Sequence, residues 1–238
     1  MNAKALVTML LLLLCTMIFA SEDTGDTADQ ERRTQELNQL AERFKAETGF
    51  EGDIGYNLQS MQFSTISGNF TDIEVTSPQD TLFMRNVFDQ VVSKIMPYIS
   101  AREGQLKSGK IHSNMHGSGI IYWQEVNGFS IEGGGGTLRI HYSLATRQLS
   151  VTNGTADISS DPISINLSLE QAISLVQDKV FDGAEVKPTN PRIAYVPIDN
   201  ENGQVYYMCY VVTHQGYTVY VDVSESIIRK VAPNRIVR

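Results

Sequence analysis

The chain has 238 residues, with 27 acidic against 19 basic side chains and a formal charge of −8 at pH 7. That length suits one large domain or two of roughly 100 residues each, and 42% hydrophobic with 19% charged residues is a globular composition rather than a disordered one. The acidic balance argues against general nucleic-acid binding, which needs basic surface to displace phosphate counterions, and two cysteines exclude a disulfide scaffold.

Residues 1–20 carry one charge, Lys4, and then an apolar run over 5–19. Ile18 and Ala20 stand at the −3 and −1 positions of a cleavage site before Ser21-Glu22-Asp23. This is the pattern of an export signal. The run is shorter than the roughly 20 apolar residues of a membrane span, so the expectation is a secreted or periplasmic chain with no membrane attachment after cleavage. Cys15 follows Leu14 rather than a small residue, which speaks against a lipid anchor there. Cys209 lies in the apolar stretch 206–212 and is expected as a buried free thiol.

Residues 21–48 read as an acidic, disordered lead-in to position 29 and a helix over 30–48. Leu37, Leu40, Ala41 and Phe44 make one apolar stripe, and Gly49 ends the helix. Residues 52–75 alternate as short strands around Gly68, with Met61, Phe63 and Ile66 pointing one way. Ser77-Pro78-Gln79-Asp80 reads as a helix start with Ser77 as N-cap and Pro78 at the first helical position. That helix presents Val87, Val91 and Ile95 on one face, with Phe88, Val92 and Tyr98 near it, and Pro97 close to its end.

Residues 109–153 form the β core. A strand over 120–125 meets the hairpin signal Asn127-Gly128, since both residues tolerate positive φ. Residues 129–132 return, and Gly133–Gly136 loosens the ladder. Leu138, Ile140 and Tyr142 alternate with Arg139 and His141, and Leu149 and Val151 mark the next strand. After a linker at 161–165, Ser168-Leu169-Glu170-Gln171 is a capping box, and its helix buries Ala172, Ile173, Val176 and Val180. Three strands follow, over 192–198, 204–213 and 217–223, joined at Asn202-Gly203 and Gln215-Gly216. The expected fold class is α+β, as two helix-on-antiparallel-sheet, cystatin-like modules in tandem at 49–160 and 161–238.

His112 and His116 have zinc-protease spacing, but Ser113 stands where the general base belongs and the flanking Gly109, Gly117 and Gly119 oppose a helix. No catalytic zinc and no cofactor is expected. Gly133–Gly136 lacks the Lys-Ser/Thr and the strand-to-helix setting of a phosphate loop. Ser118 lies between two glycines like a nucleophile turn, yet Met115 occupies the first glycine position. No spacing of Asp, Glu or His marks a catalytic pair, so a non-catalytic chain is expected. Asn69, Asn153 and Asn166 head glycosylation sequons, relevant where the host glycosylates its exports. Gln124-Glu125-Val126-Asn127-Gly128 matches the Q-x-V-x-G hairpin of cystatins, which wedges into papain-like clefts.

The stretch Ile120-Ile121-Tyr122-Trp123-Gln124-Glu125-Val126-Asn127-Gly128-Phe129-Ser130-Ile131-Glu132-Gly133-Gly134, continuing through Leu138-Arg139-Ile140-His141-Tyr142 to Leu149-Ser150-Val151-Thr152-Asn153-Gly154, resembles the propeptide of thermolysin- and fungalysin-type metallopeptidases. The second half resembles the PepSY-like module of those propeptides. Ser168-Leu169-Glu170-Gln171-Ala172 is similar to its helix start, and Ile193-Ala194-Tyr195-Val196-Pro197, the stretch 206–212 and Tyr220-Val221-Asp222 to its strands. The resemblance covers about half the chain. It departs at Ser226, where the family has a glycine, and no peptidase sequence follows before Arg238.

Such propeptides template the folding of a peptidase domain and block its cleft. The resemblance therefore implies an exported module that binds a secreted metallopeptidase as inhibitor or folding helper. The candidate contacts are the hairpin residues Gln124, Val126, Asn127 and Gly128 and the tail residues Asn234, Arg235 and Ile236. Two rivals are cystatin-like inhibition of cysteine peptidases and an envelope binding module with another ligand.

Overall fold

The computed structural model describes residues 24–133, 135–200 and 203–234; the expected export signal lies outside them. The first element, α1 (Thr24–Thr48), starts earlier than its apolar stripe. Positions 24–29, expected to be disordered, are its opening turns. No apolar periodicity marks them; ion pairs one turn apart do. Arg32 reaches Asp29 at 2.5 Å and Glu36 at 2.8 Å, and Arg33 reaches Asp29 at 2.7 Å, the spacing that favours helix on an exposed surface. Further along, Leu37, Ala41 and Phe44 are buried. Phe44 packs edge-on against Phe63 and Tyr98, with ring centroids 5.3 and 4.9 Å away. Gly49 ends the helix at φ +66°, its N–H donating to Lys45 O.

Strands β1 (Phe50–Asn57) and β2 (Gln62–Phe70) pair antiparallel. Gly55 faces Thr65 and Tyr56 faces Phe63, so Ser64 is an extra residue. This bulge is why Phe63 and Ile66, three positions apart, are both buried. Met61, expected on the same face, takes φ +51° in the preceding turn.

Helix α2 (Thr81–Ile95) is capped by Asp80, not Ser77. The Asp80 carboxylate accepts from the N–H groups of Leu82 and Phe83 at 2.8 and 3.1 Å. Ser77 instead closes a turn, its carbonyl accepting from Asp80 N at 3.1 Å. A 3-10 turn, Met96–Tyr98, follows at Pro97.

The remaining strands of the first half are β3 (Leu106–Ser108), β4 (His112–Asn114), β5 (Gly117–Val126), β6 (Phe129–Ser130), β7 (Thr137–Ser143) and β8 (Gln148–Asn153). The sheet runs β1-β2-β8-β7-β5-β3, with β4 and β6 also on β5. One face packs Ile120, Tyr122, Leu138, Ile140, Tyr142, Leu149 and Val151 into a core with α1 and α2. The Tyr122 hydroxyl donates to Asp89 of α2 at 2.7 Å. Burial, and then that carboxylate, push its pKa well up. Among the described residues, the other face bears no helix.

Helix α3 (Leu169–Val180) begins with the expected capping box. It buries Ala172 and Val176 against Val212, Val219 and Val221 of a second antiparallel sheet. That sheet contains β9 (Arg192–Asn200), β10 (Gly203–His214), β11 (Tyr217–Asp222) and β12 (Ile228–Pro233), in the order β12-β11-β10-β9. The fourth strand was not expected from the sequence. A third cluster, Val126, Ala156, Ile158, Tyr195, Met208 and Val223, draws residues from both halves and the segment between them. There Ile131 bridges to Tyr195, and Glu132 N donates to Tyr195 O at 2.9 Å. Among the described residues no helix is long and apolar enough to cross a membrane.

Candidate functional site

The hairpin holding the cystatin-like pentapeptide is built inward. Its tip has the expected turn, Asn127 at φ +53° and Gly128 at φ +82°. Gln124 is 1% exposed and Val126 is completely buried. The Gln124 amide group donates to Ala156 O at 2.8 Å and Gln105 Oε1 at 3.0 Å, and its carbonyl accepts from Ala156 N at 2.8 Å. Gln105 in turn donates to Ser160 at 3.2 Å. These amides tie the chain leaving the first sheet back onto β5, as a backbone strand would. Val126 belongs to the cluster between the halves. Neither side chain is presented to a cleft; only Asn127 and Gly128 are exposed. Even Asn127 donates to Asp161 O at 3.3 Å. The sequence held the signal: Gln124 has the strand parity of Ile120, Tyr122 and Val126, all core positions.

The tail begins from a fixed point. Pro233 ends β12, Asn234 N donates to Gly216 O at 2.6 Å, and the Thr218 hydroxyl donates to Asn234 Oδ1 at 2.6 Å. Asn234 is therefore pinned to the β10–β11 turn. Arg235 and Ile236 lie outside the described residues. Among the described residues β12 pairs only with β11, which leaves its other edge open, and Val231 is 44% exposed.

Asp222, at the end of β11, organises the turn into β12. One carboxylate oxygen accepts from the N–H groups of Ser224 and Glu225 and from the Ser224 hydroxyl, at 2.7–3.0 Å; the other accepts from Arg229 at 2.9 Å. Burial works to raise the carboxyl, but these donors outweigh it and hold its pKa below the ordinary value. Arg229 also lies over the Tyr207 ring, 4.0 Å from its centroid. Ser226, where the family resemblance has glycine, takes φ +58°.

The other candidates are dispersed over the fold. His112 lies on β4 and His116 in the turn after it, so they do not share a strand. Among the described residues no group of three His, Cys, Asp or Glu could hold a metal. The Ser118 hydroxyl donates to Pro78 O and lies 2.8 Å from Ser113 Oγ, fastening β5 to the approach of α2. The glycine run leads into β7, not a helix; Gly134 lies outside the described residues. Cys209 is fully buried, and burial, then Asp222, push its thiol up to about 12. Asn153 is engaged, donating to Phe63 O at 2.7 Å, whereas Asn69 and Asn166 are exposed.

A polar cleft of about 530 Å³ lies between the halves, lined by Asn57, Gln59, Gln62, Asn153, Gln204 and Tyr206 among others. Its deepest amides serve the fold: Gln62 Oε1 accepts from Ser100 and Asn153, and its amide group donates to Thr155 O.

No family model and no curated protein matches the chain. Among solved structures, the chain is similar to the C-terminal domain of Bacillus megaterium YpeB, over 84% of this chain and 96% of that one, at 13% identity and a TM-score of 0.33. The fold itself is α+β, with two antiparallel sheets, one of them carrying α3 against its face.

Proposed function

We propose that the chain is an exported, non-catalytic protein-binding module that inhibits, or assists the folding of, a secreted thermolysin-type metallopeptidase. The observation that carries this reading is the open edge of β12. An edge strand has unpaired backbone donors and acceptors, and a partner strand or cleft can pair with them. The edge runs directly to Asn234, which is anchored at the β10–β11 turn. The strand is already formed, so little ordering entropy opposes docking. The order of capping box, helix and meander in the second half is that of the PepSY-like resemblance.

The test is residual activity of the host's secreted metallopeptidases, and their recovery on refolding, against concentration of this chain. Inhibition or improved refolding is expected at micromolar protein. Deleting residues 235–238 is expected to weaken it by about 2 kcal/mol, as for the loss of an interface anchor. Papain, run alongside, is expected to stay active because Gln124 and Val126 are buried. Full metallopeptidase activity with no help to refolding rejects the reading; papain inhibition transfers it to cysteine peptidases.

A further inference from the structure

The helix-free face of the first sheet carries a second feature. Along β5, Gly117, Gly119, Ile121 and Trp123 point to this face, opposite the buried Ile120 and Tyr122. Trp123 pairs with Lys107 on one side and Thr137 on the other. Ile121 pairs with Arg139, and Gly119 sits between His141 and His112.

Two of the rings on this face, Trp123 and His141, approach glycines closely. A Cβ at Gly109 would come within 2.3 Å of the Trp123 indole, and one at Gly117 within 3.1 Å of the His141 ring. Gly109 is held for this purpose from two sides: its N–H donates to Ile121 O at 2.9 Å, and its carbonyl accepts from Arg85 at 2.7 Å. The indole nevertheless remains 47% exposed. The result is a strip of His141, Ile121 and Trp123, about 13 Å long at the rise of a strand, since His141 stands opposite Gly119.

Cations flank it. Lys107 and Arg139 stand on the strands either side of β5, about 12 Å apart across two strand spacings and two residues along. Both are exposed, and none of the ion pairs among the described residues uses Lys107, Lys110 or Arg139. Glu125, next on this face, bounds the strip at one end. A chain of net charge −8 thus gathers unpaired cations around its sole tryptophan.

We propose that this strip is a docking surface for an acidic, extended segment of a partner protein. Tryptophan and arginine are the residues that concentrate binding energy at protein interfaces, and the strip's length fits about four extended residues. An anionic bilayer would be repelled by the rest of the chain. The surface lies on the opposite half from β12, so it does not depend on the metallopeptidase reading.

The sole tryptophan reports directly. The purified chain is titrated with an octaglutamate peptide while its tryptophan emission is followed. A saturable shift is expected, weakening as salt rises. The double variant Lys107→Glu and Arg139→Glu is expected to bind at least tenfold more weakly with unchanged thermal unfolding, and Lys107→Gln with Arg139→Gln to fall between. Lys179→Glu with Lys187→Glu, which changes net charge equally, is expected to bind as the parent does. The proposal is overturned by no emission shift, by equal weakening in that control pair, or by tighter response to phosphatidylglycerol vesicles or polygalacturonate than to the peptide.

Discussion

Ser226 holds a left-handed backbone at φ +58°, a conformation that costs an L-residue about 1 kcal/mol. The turn keeps it there because Asp222 gathers the N–H groups of Ser224 and Glu225 while Ser226 N donates to Asp222 O at 3.2 Å. Ser226→Gly is therefore expected to stabilise the chain by about 0.5 kcal/mol, the relief of strain partly offset by a looser unfolded chain; equilibrium denaturation measures it. Asp222 makes the opposite case. Its folded pKa is depressed, so its contribution is complete above the unfolded value near 3.9 and disappears as pH falls through the lower folded value. Asp222→Asn is expected to be less stable at pH 7 by about 2 kcal/mol, since it removes one of the two carboxylates on Arg229, leaving Glu225, and the charged acceptor of the turn. The gap to the parent should close as pH falls below about 4, which denaturant melts across pH detect. Gln124 shows what one residue's sequence context can mislead. Its pentapeptide matches an inhibitor hairpin, yet strand parity alone places it inside. Gln124→Ala strips partners from Ala156 N, Ala156 O and Gln105, and is expected to cost about 3 kcal/mol.

At the scale of elements, legibility followed the strength of local signals. The capping box of α3 is legible because Ser168 and Gln171 are followed at once by an apolar-periodic run. The start of α2 is not, because Ser77 and Asp80 are both good N-caps three residues apart, and propensity alone does not separate them. The structure does: the Pro78 carbonyl accepts from Ser118, which fixes the chain before the helix. Asp80→Ala is accordingly expected to cost about 1 kcal/mol, Ser168→Ala the same, and Ser77→Ala only a few tenths. Equal effects at 77 and 80 in denaturant melts would contradict this assignment. β12 carries no strand signal because Ile228-Arg229-Lys230-Val231-Ala232-Pro233 has no alternation; its bulge at Arg229 breaks the period of two. The opening turns of α1 carry no apolar signal because ion pairs, not an apolar stripe, support them. The Trp123 strip was unreadable for another reason: which face of a strand lacks a covering helix is decided by topology.

For the whole molecule, the decisive feature is the cluster joining the halves. Val126 contributes from the first sheet, Tyr195 and Met208 from the second, and Ala156 and Ile158 from the chain between them. Ile131 and Glu132 add backbone contacts to Tyr195, and Arg192 closes on Glu132 at 2.6 Å. Two independent units on a loose linker would unfold in separate transitions and respond separately to core changes. A shared core couples them. Val126→Ala removes two methyl groups from a completely buried site and is expected to cost about 2 kcal/mol. The informative outcome is where that loss appears. With the halves coupled, thermal unfolding followed by Trp123 emission, which reports the first half, and by exposure of Cys209 to a thiol reagent, which reports the second, gives one coincident midpoint. Val126→Ala then lowers both probes together. Midpoints that separate in the parent chain, or a variant that shifts Trp123 emission while Cys209 stays protected, would show the seam to be contact without cooperation.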